Sequence, residues 1–507
     1  VSALRHWLAP ALLVAGLLVA GLWGLDATSP WWDEGWTLAV ARTWVERGFY
    51  GRLLDGQPAP PGLEAAFPVT DMVALSLRLL GVGVWQGRLP IALCMLGALA
   101  LMFQLADRLY SRRVAWATLG VLLLAPIHPQ LHALALGRQV LAELPMLCYL
   151  LAGYLFFLQA LRRSAGWLPL AMLFWGLGLL TKLQGVPFWA LSLLAPLALA
   201  LLQRRWRFAG LIGAGMLGAG VCVELLPLLQ RWIVGGSAPE VVMVPGLVEV
   251  TAVVPVLSVR LAALQTTLVG GMPALLGLGY AAWRLLRQRL QIDSPEALLR
   301  CMLLLLAGSW LAWFAALSVG FVRYLFPALF VASLFVAALL ADLTNGFDLA
   351  ATGRQLRAAL SARRLDRATI GTLLVLALAL VTLPRGLQVL EAIYAVAPER
   401  AAAETAAFLN SATPAGARIE TYETELYFFL DRAYHYPPDR LHVALNRRTF
   451  LQQDIPIDYA PLTGAPDYIV IGSFGEMWGL YDMVPGSPSY RLIRSYGAYK
   501  IYERIPG

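Results

Sequence analysis

Charged residues are scarce in this chain: Asp, Glu, Lys and Arg make up 14% of its 507 residues, against 59% hydrophobic, and the mean hydropathy is +0.66. So little charge cannot coat a soluble globule of this length, which excludes the soluble classes and points to a polytopic membrane protein. Cysteine is sparse too. Cys94, Cys148, Cys222 and Cys301 all lie inside apolar stretches and lack metal-ligand spacing, so they read as small buried hydrophobes with no disulfide framework. The sequence shows no internal repeat of the sort that builds paired transporter halves. No small-residue cleavage site cleanly follows the first apolar run, which is therefore read as a retained helix.

Apolar stretches of spanning length fall near 7–25, 88–106, 114–131, 140–161, 167–181, 185–203, 208–229, 264–284, 299–319, 323–341 and 369–389, about eleven in all. Alternate short loops carry the arginines: Arg108, Arg112 and Arg113; Arg162 and Arg163; Arg204, Arg205 and Arg207; Arg284, Arg287 and Arg289; and the group from Arg354 to Arg367. The positive-inside rule puts these loops and the N-terminus in the cytoplasm of a plasma-membrane protein. The net charge of +8 is then a topology signal and not a nucleic-acid footprint. The first loop (26–87), the 230–263 segment and everything after residue 390 face the other side.

That side holds the unusual residues. Asp33 and Glu34 are adjacent carboxylates at the start of a predicted interfacial helix whose Trp36, Val40 and Trp44 share one face. They are candidates for chemistry, although two acids in a first turn also complement a helix dipole. The proline-rich stretch Gln57 to Gly62 reads as an ordered loop. Arg138, Glu143, Lys182, Arg323 and Tyr324 lie at outer span ends, where ionisable groups are costly unless paired or facing a polar cavity; singly, each cation could snorkel to lipid headgroups. Glu224, His128 and His132 are weaker supporting candidates, the histidines as polar lining or ligands. A carboxylate facing several cations suits a lipid-linked phosphate donor: Lys and Arg take the phosphate, and the carboxylate takes the proton of an acceptor hydroxyl. Outside the cytoplasm nucleotide sugars are scarce, which favours a lipid-phosphate sugar.

The order of these elements resembles a known family. The Asp33-Glu34 pair, Pro60-Pro61, Gly87-Arg-Leu-Pro90, Leu105-Ala-Asp-Arg-Leu-Tyr110, Arg138 to Pro145, Leu180-Thr-Lys-Leu-Gln-Gly185 and Arg323-Tyr-Leu-Phe-Pro327 are similar, over nearly the whole length, to the protein O-mannosyltransferase and lipid A aminoarabinose transferase group (glycosyltransferase family 39-like) of the glycosyltransferase C superfamily. The resemblance implies a helical bundle with Asp33 as catalytic base or acceptor-orienting carboxylate, Glu34 supporting it, and Lys182, Arg138 and Arg323 on the donor phosphate or the polar cavity. Ala59 stands where relatives often carry His or Lys before the Pro-Pro pair, so no metal site is transferred. No cofactor is expected, while a divalent metal among Asp33, Glu34, His128 and His132 stays open.

Residues 395–507 read as a small outer α/β domain joined to a catalytic membrane domain, 1–394. A helix is predicted over Pro398 to Asn410, and strands over Arg418–Tyr422, Tyr468–Ile471, Tyr490–Tyr496 and Tyr499–Glu503, the last two joined by a turn at Gly497-Ala498. Trp478, Tyr481 and Tyr427 read as core aromatics. The functional expectation is an inverting glycosyltransferase moving a sugar from a polyprenyl-phosphate donor to a hydroxyl of a glycan or lipid. A protein acceptor is the alternative within the class; a transporter or assembly scaffold is the alternative outside it.

Overall fold

In the computed structural model, residues 14–60, 67–234, 247–362, 367–395 and 397–506 are described. The start of the first predicted span and Pro61-Gly62 lie outside them. Among the described residues, seven helices are long and apolar enough to cross a bilayer: Val84–Leu109, Glu143–Arg162, Leu183–Leu202, Trp206–Ile233, Pro295–Ala316, Val322–Leu343 and Thr369–Tyr394. Each reaches about 30 Å or more at the rise of an α-helix, the thickness of a hydrocarbon core.

Three expected spans differ from prediction. The run at 114–131 is the 13-residue helix Arg112–Leu124, which stops before Pro126 and gives way to a 3-10 turn at Pro129–Leu131. The run at 264–284 is two helices, Leu257–Gly270 and Met272–Arg287, that meet at 79°. Gly271 ends the first by donating to Thr267 O, and Pro273 starts the second, where its missing N–H costs nothing. The stretch at 167–181 is a short apolar helix, Ala165–Thr181, running into the Leu183–Leu202 span.

After the last membrane helix come the helix Ala401–Ala412 and a five-stranded sheet. A small hairpin earlier in the chain supplies β1 (Leu53–Leu54) and β2 (Gln57–Pro58). The sheet is built from β3 (Arg418–Thr421), β4 (Ala433–His435), β5 (Tyr468–Ile471), β6 (Tyr490–Tyr496) and β7 (Tyr499–Arg504), in the order β4-β3-β5-β7-β6. β3 is parallel to β4 and β5, and β7 is antiparallel to β5 and β6. The predicted strands appear almost residue for residue; β4 and the helix Asp439–Phe450 were not anticipated. Ile419, Ile469, Val470 and Ile501 fill the core beside Tyr427 and Tyr481, while Trp478 is partly buried at its edge. The rings of Tyr427 and Tyr434 stack 4.6 Å apart.

The helix Trp32–Arg47 joins this module to the membrane bundle. It begins where the Trp31 N–H donates to the Glu34 carboxylate at 2.7 Å and ends at Gly48, whose φ of 69° suits a left-handed cap. It does not lie open on the bilayer as expected. Ten of its 16 residues are buried, because it is sandwiched between the helix Phe67–Leu80 and the 3-10 turn Thr424–Phe428. Leu38 and Ala41 belong to the membrane core; Trp32, Trp36 and Ala39 belong to the core of the C-terminal module. Two arginines add polar ties. Arg42 donates to the carbonyls of Phe428 (2.8 Å) and Leu430 (3.1 Å), and Arg52 donates to both oxygens of Asp439 (3.1 and 2.6 Å).

Gly35 sits at the tightest point of the sandwich, where a Cβ would lie 2.3 Å from the Thr424 carbonyl. A Gly35→Ala substitution has to push the two layers apart. It is expected to cost about 1–3 kcal/mol by overpacking, seen as a lower thermal midpoint and faster proteolysis of the C-terminal module. A midpoint unchanged from the parent would contradict the close approach.

Candidate functional site

The two adjacent carboxylates point to different partners. Glu34, in the first turn of its helix, is wholly buried and forms a two-pronged pair with Arg88: Nε to Oε2 at 2.9 Å and Nη2 to Oε1 at 2.8 Å. It also accepts the N–H groups of Trp31 (2.7 Å) and Val140 (2.8 Å). Arg88, near the start of the Val84–Leu109 helix, donates its remaining N–H groups to the carbonyls of Leu25, Thr28 and Ser29 at 2.7, 2.9 and 3.0 Å. With both side chains saturated, Glu34 has no hydrogen-bonding capacity left for a substrate. Of the expected pair, Glu34 is thus held in the protein interior, where it can support Asp33 only through the backbone and helix they share.

Asp33, a quarter exposed, points the other way. Its Oδ2 accepts from Arg323 Nη2. Arg323 Nε faces Glu143 Oε1 at 3.5 Å, and Lys182 Nζ donates to the same oxygen at 2.5 Å. The result is an alternating run, Lys182, Glu143, Arg323, Asp33, assembled from three membrane-helix ends and the first-loop helix. Lys182 interrupts two helices in extended backbone, Glu143 opens the helix Glu143–Arg162, and Arg323 lies in the 3-10 turn Val322–Leu325 that leads into the next. Aromatic rings flank the cations: Lys182 Nζ is 4.7 Å from the Tyr324 ring centroid, and the Arg323 guanidinium is 4.9 Å from that of Trp31. Arg323 Nη1 is buried with no hydrogen-bond partner, an unspent donor beside the acids.

The other candidates stand apart from this run. Arg138 donates to the carbonyls of Trp23 and, at 2.8 Å, Gly24, and packs over Tyr394, so it clasps the chain near the end of the first apolar run. His132 is buried and caps a helical turn, its Nδ1 accepting from Leu134 N at 3.1 Å while Nε2 contacts Leu123 O at 3.0 Å. His128 is exposed and caps the preceding 3-10 turn through Gln130 N. Both are local caps and not lining of the site. Glu224 is exposed on the Trp206–Ile233 helix. Among the described residues no group of three or more His, Cys, Asp or Glu side chains is arranged to hold a metal.

The resemblance implies that the C-terminal module sits over the outer mouth of the site, but the sequence reading named none of the residues of the wall it contributes. Trp32 stacks on His442 and Phe474, with centroids 5.1 Å away in each case, and donates through Nε1 to Tyr422 O at 2.9 Å. The Tyr422 hydroxyl meets His442 Nδ1 at 2.8 Å. Burial holds the His442 imidazole below its ordinary range and Tyr422 far above its own, and both feel the charge of Asp33. Behind them are two buried acids. Glu423 accepts the N–H groups of Gly472 (3.2 Å) and Gly475 (2.7 Å), and Glu425 takes the Tyr499 hydroxyl at 2.6 Å. Burial raises Glu423 to about 7 and Glu425 to about 8, from an ordinary 4.5.

Two predictions follow from these buried acids. Arg88→Met strands Glu34 as an unpaired buried charge and is expected to cost about 3–5 kcal/mol; Arg88→Met/Glu34→Gln should recover part of that loss in thermal unfolding, and a double variant no better than the single would refute the pairing. Glu423 and Glu425 have raised native pKa values, so the native state binds more protons than the unfolded state between about 4.5 and 8. Stability should therefore fall as pH rises through that window. Glu425→Gln should flatten the slope of the thermal midpoint against pH, and an unaltered slope would count against the assignment.

Comparison with known proteins agrees with this architecture. Residues 68–225, which include Arg88, Glu143 and Lys182 but not Asp33 or Arg323, match the sequence model of the dolichyl-phosphate-mannose-protein mannosyltransferase family. No curated protein matches the sequence. The chain is similar in fold to ArnT from Cupriavidus metallidurans bound to undecaprenyl phosphate, with a TM-score of 0.63 and 17% identity over 99% of this chain and 98% of that one. The apo state of the same protein gives a TM-score of 0.65. The archaeal oligosaccharyltransferase AglB from Archaeoglobus fulgidus, in complex with an inhibitory peptide and a dolichol-phosphate, aligns at a TM-score of 0.55 and 12% identity over 93% of this chain and 70% of that one. The chain thus shares its fold with ArnT and AglB over nearly its whole length, and its residues 68–225 are similar to the mannosyltransferase family.

Proposed function

We propose that the protein is an inverting glycosyltransferase that moves a sugar from a polyprenyl-phosphate donor to a hydroxyl of a glycan or lipid on the non-cytoplasmic face of the plasma membrane. The observation that carries this reading is the run Lys182, Glu143, Arg323, Asp33, which sets two cations and a partly exposed carboxylate within one network at the helix ends. Arg108 and Arg162 lie in the last turns of the helices that carry Arg88 and Glu143 near their starts, at the opposite end of the bundle, which supports the outer orientation. The bound undecaprenyl phosphate of ArnT and dolichol-phosphate of AglB lend the donor class further support.

Apolar grooves between the helices support a path for the lipid tail. Two grooves of about 40 and 250 Å³ share Val121, Ala125, Pro273 and Val336, and the first reaches Phe326, three residues from Arg323. The broken helix pair shapes this path, since Pro273 begins its second half.

In the proposed reaction the donor phosphate takes Lys182 and the unspent N–H groups of Arg323. Drawing Arg323 towards the phosphate loosens its hold on Asp33 and leaves that carboxylate able to accept the proton of the acceptor hydroxyl. The acceptor oxygen attacks the anomeric carbon from the face opposite the phosphate. The carbon–oxygen bond to phosphate breaks with inversion, and the electron pair leaves with the polyprenyl phosphate, where Lys182 and Arg323 offset the growing charge. Trp32, His442 and Tyr422 wall the acceptor side. Two cations at the leaving group fill the role a divalent ion would otherwise take, so the reaction as proposed needs no cofactor.

A second reading, with a protein acceptor, is favoured by the family match over residues 68–225. The test is purified protein in nanodiscs with radiolabelled polyprenyl-phosphate sugars and a panel of lipid, glycan and peptide acceptors. Asp33→Asn should lower transfer by about 10²–10⁴-fold with donor binding kept. Lys182→Ala should weaken donor binding by about tenfold or more, and a chelator should leave the rate unchanged. Transfer by Asp33→Asn near the parent rate would overturn the base assignment, and labelled peptide would select the second reading.

A further inference from the structure

At the other end of the bundle lies an open cavity of about 230 Å³ that the proposed reaction does not use. Its polar lining is Tyr110, Tyr280, Arg284, Gln288 and Arg300, and Leu285 and Phe335 supply apolar wall. The helix Val84–Leu109 carries Arg88 near its start and ends at this cavity, which puts the two places about 30 Å apart by helix rise.

The two arginines here differ from others on the same face. Arg162 pairs with Glu296, Arg205 with Asp293 and Arg112 with Asp107. Among the described residues neither Arg284 nor Arg300 has a carboxylate within ion-pair distance. Arg300 donates Nη1 to Leu109 O at 3.1 Å and lies 5.4 Å from the Tyr110 ring centroid. Arg284 donates Nη1 to the Tyr280 hydroxyl at 3.0 Å. Each guanidinium is thus fixed by one hydrogen bond and keeps further N–H donors, with the Gln288 amide beside them. The Asp342 carboxylate takes a hydrogen bond from the Tyr280 hydroxyl and attracts Arg284, so the balance of these charges is one positive unit. Two held guanidiniums over an amide and a phenol, backed by apolar side chains, match the shape and charge of a phosphate group attached to an apolar body.

We infer that this cavity is a second, anion-binding site that takes a phosphate group, lipid-borne or free, in the leaflet opposite the Asp33 network. Occupancy would tie together the ends of the helices Val84–Leu109, Met272–Arg287 and Pro295–Ala316, which meet there. The inference is independent of the transferase reading, because its readout is binding and not turnover.

The test uses the full chain in phosphatidylcholine nanodiscs, titrated with phosphatidylglycerol in one arm and inorganic phosphate in the other, following the thermal midpoint. The parent midpoint should rise with phosphatidylglycerol, and Arg284→Gln/Arg300→Gln should need about tenfold or more of the lipid for the same rise. Arg287→Gln, which removes one positive charge from the helix of Arg284 outside the cavity, should respond like the parent. Should the double variant fail to fold, Leu285→Trp fills the cavity with both arginines intact and should abolish the response. A matching, arginine-dependent response to inorganic phosphate would assign the site to free phosphate. The inference is overturned by a parent that responds to neither probe, by a double variant or Leu285→Trp that responds like the parent, or by an equal loss in Arg287→Gln.

Discussion

The buried pair of Glu34 and Arg88 is the constraint on which the rest of the site depends. Removing two charges from water is expensive, and such a pair persists only when every lone pair and N–H finds a partner. Here the carboxylate accepts from Arg88, Trp31 and Val140, while the guanidinium reaches three carbonyls in the segment before the helix. This closed set of bonds fixes the rotation of the Trp32–Arg47 helix about its own axis. Successive residues on a helix are about 100° apart, so with Glu34 turned inward Asp33 has to face the neighbouring mouth formed by Glu143, Lys182 and Arg323. The fixed rotation also puts Trp32 and Trp36 against the C-terminal module.

That helix is shared between two hydrophobic cores, and the ties are polar as well as apolar. Arg42 and Arg52 cross to the C-terminal module, Leu38 and Ala41 settle into the membrane bundle, and Gly35 admits the Thr424 backbone. The module is thus part of the same solid as the site. Motion of one against the other has to break the Trp32 stack on His442 and Phe474, so the wall and the acid move together.

Much of this was legible in the sequence. Long apolar runs gave most of the membrane helices, alternation and a Gly-Ala turn gave β6 and β7, and the exposed acid and the cations at helix ends gave Asp33, Glu143, Lys182 and Arg323. What escaped were facts of pairing over distance. Nothing in the local pattern says that Glu34 would find Arg88, 54 residues away, while its neighbour found Arg323. Arg138 looked like its fellow cations and instead clasps Trp23 and Gly24, because a carbonyl-rich loop leaves no motif. The helix ends at Leu124 and Gly271 were hidden inside apolar stretches, where hydropathy carries no information about a bend. His442 lies on an amphipathic helix of a module whose docking partner is nearly 400 residues earlier.

The alternating run at the mouth bears on how a ligand is captured. Two acids and two bases sum to zero, so the empty network casts little field beyond its immediate surroundings. A passing inorganic anion has no long-range reason to gather there. For the proposed donor, attraction begins only once its phosphate is near enough to compete with Asp33 for Arg323, which makes recruitment a short-range exchange governed by the lipid tail. Such a gate favours molecules delivered sideways out of the bilayer over those arriving from bulk water, and its sensitivity to ionic strength should be slight.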